Sequence, residues 1–332
     1  LQKRSIPRVH LKDIEEARKR VTDVAFRTPL LPASSHFDDA KLYLKLECLQ
    51  RTGSFKVRGA WNKMSRVSQE DLAKGFVTVS AGNHGQAVAW CARKLGSPCT
   101  VYVPLNAVKR KIESMESMGA KIVRKSHEEI MESMTDDRME ELGMVFVHPF
   151  GDPYVVAGQG TIGLEILEDL PNVRSVIVPV GGGGLVNGIA TALRAKEREV
   201  ESGGGERNHN KLKIFGVQAE GAAPLLKSFE SGRAERIGDP HTIADGIAAT
   251  YVFDYMFPLF KENEIQPLVV SDREIEQAMR HIMKECHAIA EPAGASSLAA
   301  AWRYRSQLEE PIVCVVSGGN ADFSLLSRLI SD

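Results

Sequence analysis

No apolar run in this chain approaches the roughly 18 residues of a membrane span. The opening Leu1-Gln2-Lys3-Arg4 carries no apolar signal segment either. The five cysteines, Cys48, Cys91, Cys99, Cys286 and Cys314, are scattered, odd in number and free of CxxC spacing. That argues against a disulfide framework and a zinc site, and it fits reduced thiols in a cytoplasmic protein. Net charge is nearly absent, at a formal −1, so there is no general pull toward nucleic acid or an acidic membrane. No repeat of fixed period occurs. What remains is an ordinary globular chain of 332 residues, enough for one large domain or two moderate ones, each with a full core. Small molecules are the expected partners.

Short β-branched segments alternate with amphipathic ones. Residues 42–46, 76–79, 99–103, 121–124, 145–148, 175–180, 214–218 and 311–316 read as strands. Helices are expected at 83–95, 108–118, 185–199, 272–287 and 292–304. Val176-Ile177-Val178-Pro179-Val180 is apolar on both faces, as in a parallel sheet covered by helices. The class is α/β. Glu201-Ser202-Gly203-Gly204-Gly205-Glu206-Arg207-Asn208 reads as a mobile surface loop, a reminder that glycines alone do not make a phosphate site.

Three strand-end turns and one lysine carry the chemistry. Gly181-Gly182-Gly183-Gly184 leaves the strand at 175–180 and opens a helix at Leu185. Such a junction aims several backbone N–H groups at one spot with the helix dipole behind them, which makes a phosphate cradle. Tight strand–helix packing is the competing reading. The tetrad has neither GxGxxG spacing nor a following Gly-Lys-Ser/Thr, so it is not a dinucleotide fingerprint or a Walker loop. Ser80-Ala81-Gly82-Asn83-His84-Gly85 presents amide N–H groups suited to a carboxylate, with Asn83 read as either a cofactor ligand or an N-cap. His84 reads as structural rather than as a base. Ser317-Gly318-Gly319-Asn320 lies beyond the strand at 311–316, where ligands bind in open α/β sheets. Lys56 follows a small-residue turn in Gly53-Ser54-Phe55-Lys56-Val57-Arg58-Gly59, beside an aromatic. That setting desolvates the amine and lowers its pKa, as Schiff-base chemistry needs. The set converges on one phosphate-bearing carbonyl cofactor, pyridoxal 5'-phosphate.

From about Leu11 to Phe323 the sequence resembles the serine/threonine dehydratase (threonine ammonia-lyase) family of fold-type II pyridoxal-phosphate enzymes, in a short form without a C-terminal regulatory domain. Gly53–Ala60, Ser80–Gln86, His148-Pro149-Phe150, Ala157-Gly158-Gln159-Gly160-Thr161, Gly181–Leu185, Glu291-Pro292 and Ser317–Asn320 carry the resemblance. It implies a tryptophan-synthase-β-like architecture: two open parallel-sheet α/β domains with the cofactor in the cleft. Residues 1–64 and 148–332 would form the larger domain and 65–147 the smaller. Lys56 would be the Schiff-base lysine and the base on the substrate α-carbon, with Phe55 beside the ring and Asn83 on the ring hydroxyl. Gly181, Gly182, Gly183, Gly184 and the Leu185 amide would hold the phosphate, and Ser317 the pyridine nitrogen. Ser80, Ala81, Gly82, Asn83 and His84 would take the substrate carboxylate. Glu291 would approach the cofactor from the side, unless it is only N-cap support before Pro292.

A neutral hydroxyl at the pyridine nitrogen disfavours a long-lived carbanion and so favours fast β-elimination, of L-threonine to 2-oxobutyrate or L-serine to pyruvate, each with ammonia. Serine racemases of this family place a serine where Ala81 stands, and a methyl cannot move a proton. The divalent-cation site of metal-dependent members falls on Gln218, Ala222 and Pro224, with Glu220 off register, so no Mg²⁺ is expected. Isoleucine feedback is not expected, and a homodimer or homotetramer is. The alternatives are a serine racemase, a dehydratase of a bulkier or acidic hydroxyamino acid (phenylserine, 3-hydroxyaspartate), and an inactive amino-acid-binding homologue.

Overall fold

Burial at every position of Ser175–Pro179 makes it a central strand, because each of its faces needs a covering layer. The computed structural model describes residues 8–34, 41–107, 109–135, 143–202 and 211–331, and there the strands fall into two sheets. The strands are β1 (Leu30–Pro32), β2 (Leu42–Lys45), β3 (Phe76–Val79), β4 (Cys99–Pro104), β5 (Lys121–Lys125), β6 (Val145–Phe146), β7 (Ser175–Pro179), β8 (Lys213–Ala219), β9 (Ile265–Val270) and β10 (Ile312–Val315). The larger sheet runs β1-β2-β10-β7-β8-β9 and the smaller β5-β4-β3-β6. All pairs are parallel except β1–β2, so the larger sheet carries one antiparallel edge strand.

Eight strands were expected from the sequence, and each appears within a few residues of its expected ends. The two additional strands, β1 and β9, are edges, and each contains a proline, Pro32 or Pro267. Proline cannot donate to a ladder, which weakens the strand signal but is tolerated at an edge. Most of the glycine loop at 201–208 lies outside the described residues.

Two buried clusters cover the larger sheet and a third packs on the smaller. The helix Lys56–Met64 joins the two units, packing on both Asn83–Leu95 and Pro153–Asp169. Glycine permits the second crossing: a Cβ on Gly158 would stand 2.6 Å from Gly59 Cα. Pro153–Asp169 is buried over most of its length, opened by Pro153 and capped by Asp152, which accepts from the amides of Tyr154 and Val155. No described helix is long and apolar enough to cross a membrane.

Candidate active site

Lys56 is the first residue of the helix Lys56–Met64, and the anchor of that helix lies two residues on. The Arg58 guanidinium is only 1% exposed. It donates to both carboxylate oxygens of Glu47 (2.8 and 2.9 Å) and of Glu165 (2.6 and 3.0 Å), and to Phe26 O at 3.0 Å. Buried Lys45 reaches Glu165 at 2.7 Å. Charges this deep are tolerated only when all are paired, and the pairing fixes the helix start rigidly.

Lys56 Nζ donates to Pro149 O at 2.8 Å and stands 5.2 Å from the Phe55 ring centroid. Burial lowers the amine to about 8, against the opposing charge of Glu291. A larger share of the amine is therefore neutral near physiological pH than in an exposed lysine. The turn carrying Pro149 is shaped by His148, whose Nδ1 accepts from the amides of Phe150 (3.2 Å) and Gly151 (2.7 Å).

Asn83 stands inside the helix Asn83–Leu95, and Gly82 occupies the N-cap position, so the capping reading of Asn83 fails. Its amide instead donates to Glu291 Oε1 at 2.6 Å and accepts from Asn320 Nδ2 at 2.7 Å. Glu291 does sit at the N-cap of Pro292–Arg303, but its side chain caps nothing. Burial pushes its carboxyl up to about 7; the charge of Asp245 adds to this, and the Asn83 hydrogen bond and the cations Lys111 and Lys56 oppose it. His84 is buried, with Nε2 2.9 Å from Val147 O. Burial, reinforced by the charge of Lys56, holds that imidazole well below its usual range, in keeping with a structural histidine.

The three turns leave the carboxyl ends of β7, β3 and β10 and meet around one cavity of about 590 Å³. The structure places on its wall each residue given a cofactor or substrate role from the sequence: Phe55, Lys56, Ser80, Ala81, Gly82, Asn83, His84, Gly181, Gly182, Gly183, Gly184, Leu185, Glu291 and Ser317. The backbone N–H groups of Gly182 to Leu185 make no hydrogen bond with described residues, as expected where a helix begins. Packing demands glycine here as well. A Cβ at Gly182 would enter the Phe150 ring, one at Gly183 would meet Phe260, and Gly183 has φ +91°. The packing reading of the tetrad therefore holds, and it leaves these amides facing the cavity.

Sequence reasoning passed over Asn320, Pro149, Lys111 and Asp245 as site residues. Asn320 closes the turn Ser317-Gly318-Gly319-Asn320, and its amide also donates to Thr52 O at 2.8 Å. Pro149 acts through its carbonyl, which no side-chain pattern announces. Lys111 and Asp245 look like ordinary surface charges until the fold pairs them. In the segment matched to the divalent site, the Gln218 side chain accepts from Leu225 N at 2.8 Å, and Glu220 pairs with Arg303 at 2.5 Å.

The chain matches the family model described as "Pyridoxal-phosphate dependent enzyme" over residues 21–318. It is 40% identical to a protein named L-threonine ammonia-lyase from Thermotoga maritima, covering 97% of this chain and 78% of that one. It is 38% identical to a serine racemase from Dictyostelium discoideum, covering 97% and 98%. The crystal structure of a threonine deaminase from T.th. superposes with a TM-score of 0.83 at 35% identity, covering 95% and 99%.

Proposed function

The chain belongs to the pyridoxal-phosphate-dependent enzymes, and from that premise we propose that it is an ammonia-lyase releasing ammonia and a 2-oxo acid from L-threonine or L-serine. The observation that carries this reading is the desolvated Lys56 amine on the wall of a cavity ringed by three strand-end turns.

The chain's groups fit the cofactor. The uncommitted N–H groups of Gly182 to Leu185 match a phosphate, with the dipole of the following helix behind them. The Ser317 hydroxyl, on the cavity wall and without a hydrogen bond to described residues, suits the pyridine nitrogen, and Asn83 the ring hydroxyl. When bound, pyridoxal phosphate draws electron density away from the substrate α-carbon. Neutral Lys56 takes the α-proton, and Pro149 O holds the amine in position before it acts. The Ser80–His84 turn takes the substrate carboxylate through its amides. The β-hydroxyl leaves as water with one proton, balanced by the α-proton that Lys56 has taken, and the resulting enamine is hydrolysed to the 2-oxo acid and ammonia.

Two observations favour elimination over racemisation. Ala81 offers the cavity a methyl group, and the neighbouring Ser80 Oγ accepts from Gly82 N at 3.1 Å. The serine racemase among the relatives makes this contrast worth measuring. With L-serine, pyruvate should form faster than D-serine, followed by chiral chromatography beside a 2-oxo acid assay. D-Serine outpacing pyruvate would overturn the assignment. The same reading includes a homodimer or homotetramer in the cytoplasm, and a domain division at 1–64 with 148–332 against 65–147. All four strands of the smaller sheet fall between Phe76 and Phe146, which supports that division.

A further inference from the structure

Among the described residues the cavity wall carries no arginine, and its cations are few. Lys56 is committed to Pro149 O, and the His84 ring is held at Val147 O. Lys111 is the remaining described cation on that wall, and it pairs with Asp245. The two come from different units. Lys111 lies on the helix Lys109–Ser117, which packs on β5 of the smaller sheet, while Asp245 opens the short turn Asp245–Ile247, which packs on Pro292–Arg303 beside the larger sheet. Their side chains are 27% and 61% exposed, so the pair stands at the open side of the cavity. Beyond Asp245 the wall continues as Gly246, Ile247, Ala248 and Ala249, with no polar side chain among them.

From this juxtaposition we propose that the Lys111–Asp245 pair sets the charge specificity of the site, excluding amino acids with an acidic side chain. The inference rests on the amino-acid reading above and deepens it. A substrate bearing a second carboxylate needs a cation for that group, and Asp245 already occupies Lys111. The Asp245 carboxylate also repels a second negative charge at close range. Removing it while keeping its shape leaves the ammonium free at the cavity mouth.

L-Alanine and L-aspartate test this directly. Neither has a β-leaving group, and they differ by one carboxylate. Their affinities for the holoenzyme, from calorimetry or the visible absorption shift, give a ratio independent of elimination. Asp245→Asn should move that ratio by about tenfold toward aspartate. Asp245→Asn combined with Lys111→Gln should return it to the wild-type value. A ratio that stays put in Asp245→Asn, or that shifts equally in the double variant, overturns the assignment. Alanine binding to the wild-type holoenzyme reports separately on the amino-acid reading: its loss would sink both claims, whereas alanine bound with an unmoved ratio sinks only this one.

Discussion

Lys56 and Glu291 are displaced toward each other on the pH scale, the lysine to about 8 and the glutamate to about 7, and burial drives both. For Lys56 this sets the rate of cofactor capture, because only the neutral amine attacks a carbonyl. The apoprotein should therefore bind pyridoxal phosphate at a rate rising with pH through about 8 and flat beyond 9, followed by growth of the visible band. A rise continuing toward the ordinary lysine value near 10.4 would show the amine to be solvated. For Glu291 the sign runs the other way. Its folded pKa lies above the unfolded value, so the native state binds more protons between about 4.5 and 7, and stability falls as pH rises through that window. Glu291→Gln should flatten that fall in urea titrations of the apoprotein. An unchanged slope would mean the carboxylate is better paired than Asn83 alone allows.

At the scale of the element, the helix Lys56–Met64 is held by charge rather than by propensity. Arg58→Met would leave Glu47 and Glu165 short of their shared partner, and breaking a buried pair of this kind costs about 3–5 kcal/mol. Denaturant midpoints should fall accordingly, and cofactor affinity with them, because Lys56 loses its fixed platform. Full affinity in a destabilised Arg58→Met would separate the helix anchor from the site. None of this was legible in the sequence, where Arg58 is one letter of a motif and Glu165 lies more than a hundred residues away. The strand-end turns were legible because their signal is local: an apolar strand, then small residues, then a helix. Asn83 shows the limit of local reading. An asparagine at a helix start looks like a cap, and only the chain's return at Glu291 and Asn320 reveals what its amide meets.

For the whole molecule, the arrangement places the carboxyl ends of strands from both sheets against one cavity, with Lys56 on the helix that packs between the units. The three strands whose ends carry the site turns, β3, β7 and β10, are among the eight read from sequence. The edges β1 and β9 and the pairing of Lys111 with Asp245 required the fold, since each depends on what lies opposite rather than on what lies adjacent in the chain. The most direct measurement is the release of 2-oxobutyrate from L-threonine by the pyridoxal-phosphate-loaded protein, with Lys56→Ala assayed beside it. Steady 2-oxobutyrate formation is expected in the wild type, reduced about 10²–10⁴-fold or more in the variant, together with loss of its cofactor-linked visible band. A wild type that takes up the cofactor yet releases no 2-oxo acid, or a Lys56→Ala protein that releases it at the wild-type rate, would contradict the assignment of Lys56 as the catalytic base of an ammonia-lyase.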